Sequence, residues 1–138
     1  MPLAATESEL RQRLSEIALA DFYGFQLQSF SDGECTITVP FQKAFERPGG
    51  IVAGQIFMAA ADIAMWLAIL TRLGSADASV TAEMKTNFLS GARQEDFVCR
   101  AKVLKLGRRL VYGVAECTNQ AGKLLTHHTV TYIRPGTA

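Results

Sequence analysis

A chain of 138 residues suits one domain with a core of its own rather than two. Its 14 basic and 13 acidic side chains leave a formal net charge of +1, which argues against a nucleic-acid partner, because such binding needs a concentrated positive surface. Three cysteines without CxxC spacing (Cys35, Cys99 and Cys117) argue against a disulfide framework and predict reduced, buried thiols in a cytoplasmic protein.

The opening residues, MPLAATESELRQRL, lack a basic region followed by an apolar core, so no signal peptide is expected. Thr6 and Glu9 form a capping-box pattern, and Leu10, Leu14, Ile17 and Ala18 follow at helical spacing. This predicts a short amphipathic helix over about residues 5–20. FQLQSFSDGECTITVPF reads as a hairpin turning at Ser31-Asp32-Gly33, with Cys35, Ile37 and Val39 on one face and Pro40 ending the ladder. KAFERPGG is a polar loop whose Pro48-Gly49-Gly50 breaks structure before the long apolar run Ile51–Leu70.

That run has the length of a membrane span, but Asp62 would then lie near mid-membrane at a cost of ~2.5–3.5 kcal/mol. Neither flank carries clustered Lys or Arg. The expectation is therefore a helix buried inside the protein, with no membrane partner, ending near Gly74 as its C-terminal cap. Four strand-like segments follow. SVTAEMKTNFL alternates, with Val80, Ala82, Met84 and Phe88 opposite Thr81, Glu83, Lys85 and Asn87. DFVCRAKVLKL, RLVYGVAECTN and LLTHHTVTYIRP continue it, joined by turns at KLGRR and NQAGK, as an antiparallel meander. The fold class expected is α+β, an antiparallel sheet wrapped around one long helix, in a single domain over residues 1–138. One sheet covers only part of an all-apolar helix, which predicts a homo-oligomer.

Gln55 and Asp62 are seven residues apart, two turns, and share one helix face with Met58, Ala59 and Trp66. Small alanines at 59–61 leave room beside the carboxylate. An acid set among apolar groups is a candidate for proton transfer or attack on a carbonyl. The competing reading is an acid that only accepts hydrogen bonds from its neighbours, and the residues alone leave both open. The backbone amides at Gly54 and Gln55 open the helix and carry partial positive charge, suited to a carbonyl oxygen gaining negative charge.

The runs RPGGIVAGQIFMAAADIAMWLAIL and SVTAEMKTNFLSGARQEDFVCRAKVLKLGRRLVYGVAECTNQAGKLLTHHTVTYI resemble the hotdog-fold thioesterases of the PaaI-like and 4-hydroxybenzoyl-CoA thioesterase superfamily. The resemblance covers about residues 20–134. It implies a hotdog fold, a dimer or dimer of dimers, and hydrolysis of an acyl-CoA or aryl-CoA thioester, with coenzyme A entering only as part of the substrate and no cofactor or metal. By position it implies Asp62 as general base or nucleophile, Gly54 as the backbone donor to the carbonyl oxygen, and Thr81, from the neighbouring subunit, as the hydroxyl that positions water. Lys105, Gly107 and Arg108 match the basic turn near the CoA phosphates. The chain departs from the family pattern at the helix start, where Ala53-Gly54-Gln55 stands in place of His-Gly-Gly, with Gln55 a possible substitute donor. Arg47 replaces an upstream Asn.

Two other functions stay open: binding of an acyl-CoA without turnover, and hydratase or dehydratase chemistry, which would want a helix-entry histidine. His127 and His128 are adjacent in a strand and point to opposite faces, so neither a zinc site nor a paired base is expected, and a subunit contact suits them better. The three cysteines lie in strand patterns with no thiolate-favouring neighbour.

Overall fold

The computed structural model describes residues 3–136. The capping box forms as expected: Glu9 N–H donates to Thr6 Oγ1 and Thr6 N–H donates to Glu9 Oε1, starting α1 (Glu7–Ser15). The single N-terminal helix expected is two. Ile17 is extended, and a second short helix, α2 (Ala18–Tyr23), follows it and ends at Gly24. The hairpin β1 (Gln26–Ser31) and β2 (Glu34–Val39) buries Cys35, Ile37 and Val39, as their alternation predicts.

KAFERPGG is more ordered than a polar loop. Residues Glu46–Arg47 (β3) pair with Ile51–Val52 (β4) around Pro48-Gly49-Gly50, so Ile51 and Val52 belong to a miniature hairpin and not to the helix. The long helix, α3 (Gly54–Leu73), begins three residues later than its apolar run suggests. Strands β5 (Val80–Phe88), β6 (Phe97–Leu106), β7 (Leu110–Asn119) and β8 (Leu124–Ile133) complete an antiparallel sheet of order β1-β2-β6-β7-β8-β5. The meander holds for β6, β7 and β8. β5 is a correction: it does not neighbour β6 but crosses to the far edge and pairs with β8.

The sheet curves around α3, the architecture of a hotdog fold. Twelve of the 20 helix residues are buried, among them Ala60, Ala61, Ala64 and Ala68, whose small side chains let the helix lie close to the strands. Gly113 in β7 completes that fit, because a Cβ there would collide with the Met65 side chain and the Lys102 carbonyl oxygen. Each Leu, Ile or Met buried here contributes roughly 1.5–3 kcal/mol relative to exposure. The helix is long and apolar enough to cross a membrane, yet two thirds of its apolar window is covered by protein. It is not covered on all sides. Gln55, Met58, Ala59, Asp62 and Trp66 form a stripe that the sheet leaves partly or fully open.

Candidate active site

Asp62 sits in the middle of the open stripe, half-buried. Two hydroxyls donate to the same carboxylate oxygen: Thr81 Oγ1 lies 2.7 Å from Oδ1, and Tyr132 Oη lies 2.7 Å from it. Tyr132 Oη is also 2.9 Å from the Asp62 carbonyl oxygen. The phenol is buried in the chain's interior, which pushes its pKa far above the ordinary tyrosine value, and the charge of Asp62 adds to the push.

A β-bulge places Thr81. In β5 the register steps from Thr81↔Tyr132 to Glu83↔Thr131, so Ala82 is an extra residue with no partner in β8. The insertion reverses the strand's alternation. Thr81 therefore falls on the helix-facing side with Met84, Thr86 and Phe88, not opposite them as strict alternation predicts. Within one chain Thr81 thus donates to Asp62.

Gly54 and Gln55 are elsewhere. Ala53, before the helix, makes no side-chain capping bond, so the first-turn amides keep their partial positive charge without a side-chain acceptor. Gly54 lies in the wall of a pocket of about 450 Å³ lined chiefly by apolar groups, including Ile51, Phe57, Phe88 and Leu89, with Arg47 at its edge. The ring of Phe88 lies over Gly54; a Cβ there would stand 2.9 Å from it. Eight helical residues separate Gly54 from Asp62, about 12 Å along the axis. The structure does not bring them together within one chain.

Gly107 and Arg108 occupy the β6–β7 turn and Lys105 lies just before it, near the end of β6; Lys105 and Arg108 are exposed. Arg108 joins Arg109 and Arg134 around an open cavity of about 540 Å³, and Arg134 Nη1 donates to the Gly107 carbonyl at 2.9 Å. The register places this turn at the Asp62 end of the sheet. Leu110 and Val80 both pair with Ile133, one row from Tyr132, Thr81 and Val111.

His128 is not at a subunit contact. It is fully buried in the chain's own core, with Thr86 Oγ1 2.8 Å from Nδ1 and Thr126 Oγ1 2.7 Å from Nε2. Cys35 is pushed up to about 12 by burial. Cys117 is a correction. A hydrogen bond from Cys99, its partner in the β6–β7 register, holds Cys117 below the ordinary thiol value against the opposing effect of burial, with His128 and Thr126 helping. It is closed to solvent, so no substrate reaches it. No group of three or more His, Cys, Asp or Glu that could hold a metal occurs among the described residues.

Sequence reasoning missed Tyr132, Arg109 and Arg134. For Tyr132 a signal exists: it shares a strand face with His128 and Val130, and a tyrosine facing a core needs a polar partner for its hydroxyl.

Residues 49–126 match the model of the thioesterase superfamily, which is more than half of the chain. The chain belongs to that superfamily. It is 33% identical over 103 residues to "Putative esterase SSO2140" of Saccharolobus solfataricus, spanning 75% of this chain and 73% of that protein. Its fold matches the conserved protein PA5202 of Pseudomonas aeruginosa with a TM-score of 0.85 at 27% identity, over 91% of this chain and 98% of the other. The E. coli PaaI protein of the phenylacetic acid degradation operon has the same fold, with a TM-score of 0.83 at 18% identity, over 95% and 96% of the two chains.

Proposed function

We propose that this protein is an acyl-CoA or aryl-CoA thioesterase in which Asp62 is the reacting acid. The observation that carries the proposal is the placement of Asp62: an acid on the open stripe of an otherwise apolar helix, hydrogen-bonded but paired with no cation among the described residues. Its solvent-facing side leaves it open to a substrate, which supports a reacting role over a purely structural one. Membership of the thioesterase superfamily supports the reaction class. The arginines at the β6–β7 turn, on the same end of the sheet, support a polyanionic carrier such as coenzyme A.

The carboxylate takes a proton from water as hydroxide adds to the thioester carbonyl, or adds to that carbon itself. The carbonyl oxygen, now negative, needs donors. Gly54 and Gln55 of the same chain are too far away to supply them. The amides of a second copy, with its α3 laid antiparallel along the open stripe, supply them instead. On the first route, collapse of the adduct expels the CoA thiolate, which takes back the proton held by Asp62, and the free acid is formed directly. On the second, collapse leaves an anhydride on Asp62, and one water cleaves it, giving the free acid, the restored carboxylate and the proton that the thiolate takes. The exposed edge strand β5, with Val80 61% and Phe88 57% accessible, supports a homodimer at this face, alone or paired into a dimer of dimers.

Thiol release from a panel of acyl- and aryl-CoAs tests the reading. Asp62→Asn is expected to lower kcat by about 10³-fold or more without changing the folding transition. Parental turnover in that variant would overturn the mechanism. Ala53, where the family pattern has His, favours a second reading in which the protein holds an acyl-CoA without hydrolysing it. Ligand-dependent thermal stabilisation with no CoA released would select it.

A further inference from the structure

Tyr132 is 4% exposed, and its hydroxyl is aimed at the one acid on the open helix face. A phenol has one proton to give. Of its two acceptors, the charged Oδ1 at 2.7 Å outcompetes the neutral Asp62 carbonyl at 2.9 Å, which already serves the helix ladder. Thr81 donates to the same Oδ1 from the opposite strand. Among the described residues no donor reaches Oδ2.

We propose that Tyr132 is the positioning residue of the site: with Thr81 it clamps Asp62 Oδ1, fixes the carboxylate plane, and leaves Oδ2 as the only oxygen that reacts. The clamp is built from elements far apart in the chain. β8 alternation turns Tyr132 toward the helix, and the extra residue Ala82 turns Thr81 the same way. Two donors on Oδ1 hold Asp62 in its rotamer against rotation about its terminal bond, which would otherwise exchange the two oxygens. Burial, by raising the phenol's own pKa, keeps Tyr132 a donor throughout the working range.

This inference rests on Asp62 being the reacting acid, and the experiment separates the two. Tyr132→Phe removes a single oxygen, and thiol release is measured in the wild-type and Asp62→Asn backgrounds. The expected result is a fall in kcat of about 10- to 30-fold with KM within about twofold, and no further fall in the Asp62→Asn background. An unchanged kcat, a rise in KM alone, or an equal proportional loss in both backgrounds overturns the positioning role while leaving Asp62 in place. Full activity in Asp62→Asn itself overturns both. Should Tyr132→Phe fold poorly by circular dichroism, Thr81→Val removes the exposed donor of the same clamp. It must show the same background-dependent loss, or the clamp is refuted.

Discussion

The two ends of the open face of α3 are built on different principles. Around Asp62 the surroundings are polar and tightly specified: two hydroxyls converge on one oxygen, and a strand bulge aims one of them. Around Gly54 they are apolar and roomy: a helix start without a side-chain cap, a pocket of about 450 Å³, and an aromatic ring laid on a residue that lacks a Cβ. The first end can move a proton but has no donor for a developing oxyanion. The second has the donors and the space but no acid. The difference teaches that the acid and the free helix-start amides of a single chain are too far apart to act on one carbonyl, which is why the proposed thioesterase mechanism calls on a second copy.

The strongest way to break that comparison is to place the two defects in different chains. Asp62→Asn alone should cost about 10³-fold in kcat. Gly54→Val, which adds bulk against Phe88 and displaces the first-turn amides, should be similarly inactive. Mixed after co-refolding, the two variants should regain activity, because a heterodimer keeps one site with an intact acid and intact amides. Thiol release from the mixture checks this, and no recovery beyond the sum of the parents would mean that each chain works alone.

Next in size is a change that should disturb the acid end and spare the pocket. Gly113→Ala puts a methyl where the Lys102 carbonyl and the Met65 side chain already lie, and a backbone oxygen in a sheet centre cannot give way. The expected cost is about 3 kcal/mol by denaturant unfolding. Met65 is one turn from Asp62, so the surviving folded enzyme should also lose kcat. A variant as stable as the parent would show that α3 is not held against β7 as described.

The sequence makes one end of this comparison easier to read than the other. Residues Gln55, Met58, Asp62 and Trp66 share a face because helical periodicity is local, and the open stripe follows directly from it. The α+β class and most strands follow from alternation in the same way. What escapes is everything decided between distant segments. The insertion at Ala82 is visible only against β8, so strict alternation puts Thr81 on the wrong face. The position of β5 at the sheet edge is a choice of partner, and alternation reports a strand without naming its neighbour. Ile51 and Val52 extend an apolar run, yet the Pro48-Gly49-Gly50 turn folds them back on Glu46 and Arg47, and the helix starts late. Tyr132 is 70 residues from Asp62, and no local pattern links them.

A milder change sharpens the description of the apolar end. Gly54→Ala keeps the backbone N–H and adds only a Cβ, which meets the Phe88 ring at 2.9 Å. The ring is 57% exposed and can move, so the fold should tolerate the change while kcat/KM falls about tenfold. Combining it with Phe88→Ala should recover part of that loss, measured on the same CoA panel. If the double variant is no better than the single one, the glycine is needed for a reason other than the ring.

The smallest effect expected belongs to a region that should leave both ends untouched. The capping box of α1 ties the N-terminus to the far end of α3, because Glu9 Oε2 also accepts a hydrogen bond from Ser75 Oγ at 3.0 Å. Thr6→Ala should lower stability by about 1 kcal/mol at neutral pH and leave kcat unchanged. The pH dependence has a definite sign. Glu9 is held below its ordinary value of 4.5, first by the Thr6 backbone N–H, then by Ser75 and the Thr6 side chain. A depressed carboxylate contributes stability above its unfolded value and loses it as pH falls through the lower folded value. The gap between parent and Glu9→Gln should therefore be full at pH 7 and close as pH falls below about 4.5, whereas the Thr6→Ala gap, which rests on the uncharged bond from Glu9 N–H to Thr6 Oγ1, should largely persist, in thermal melts recorded across that range. A Glu9→Gln gap that instead widened in acid would mean that protonated Glu9 caps the helix better than the carboxylate does, which its two donors, the Thr6 N–H and the Ser75 hydroxyl, do not allow.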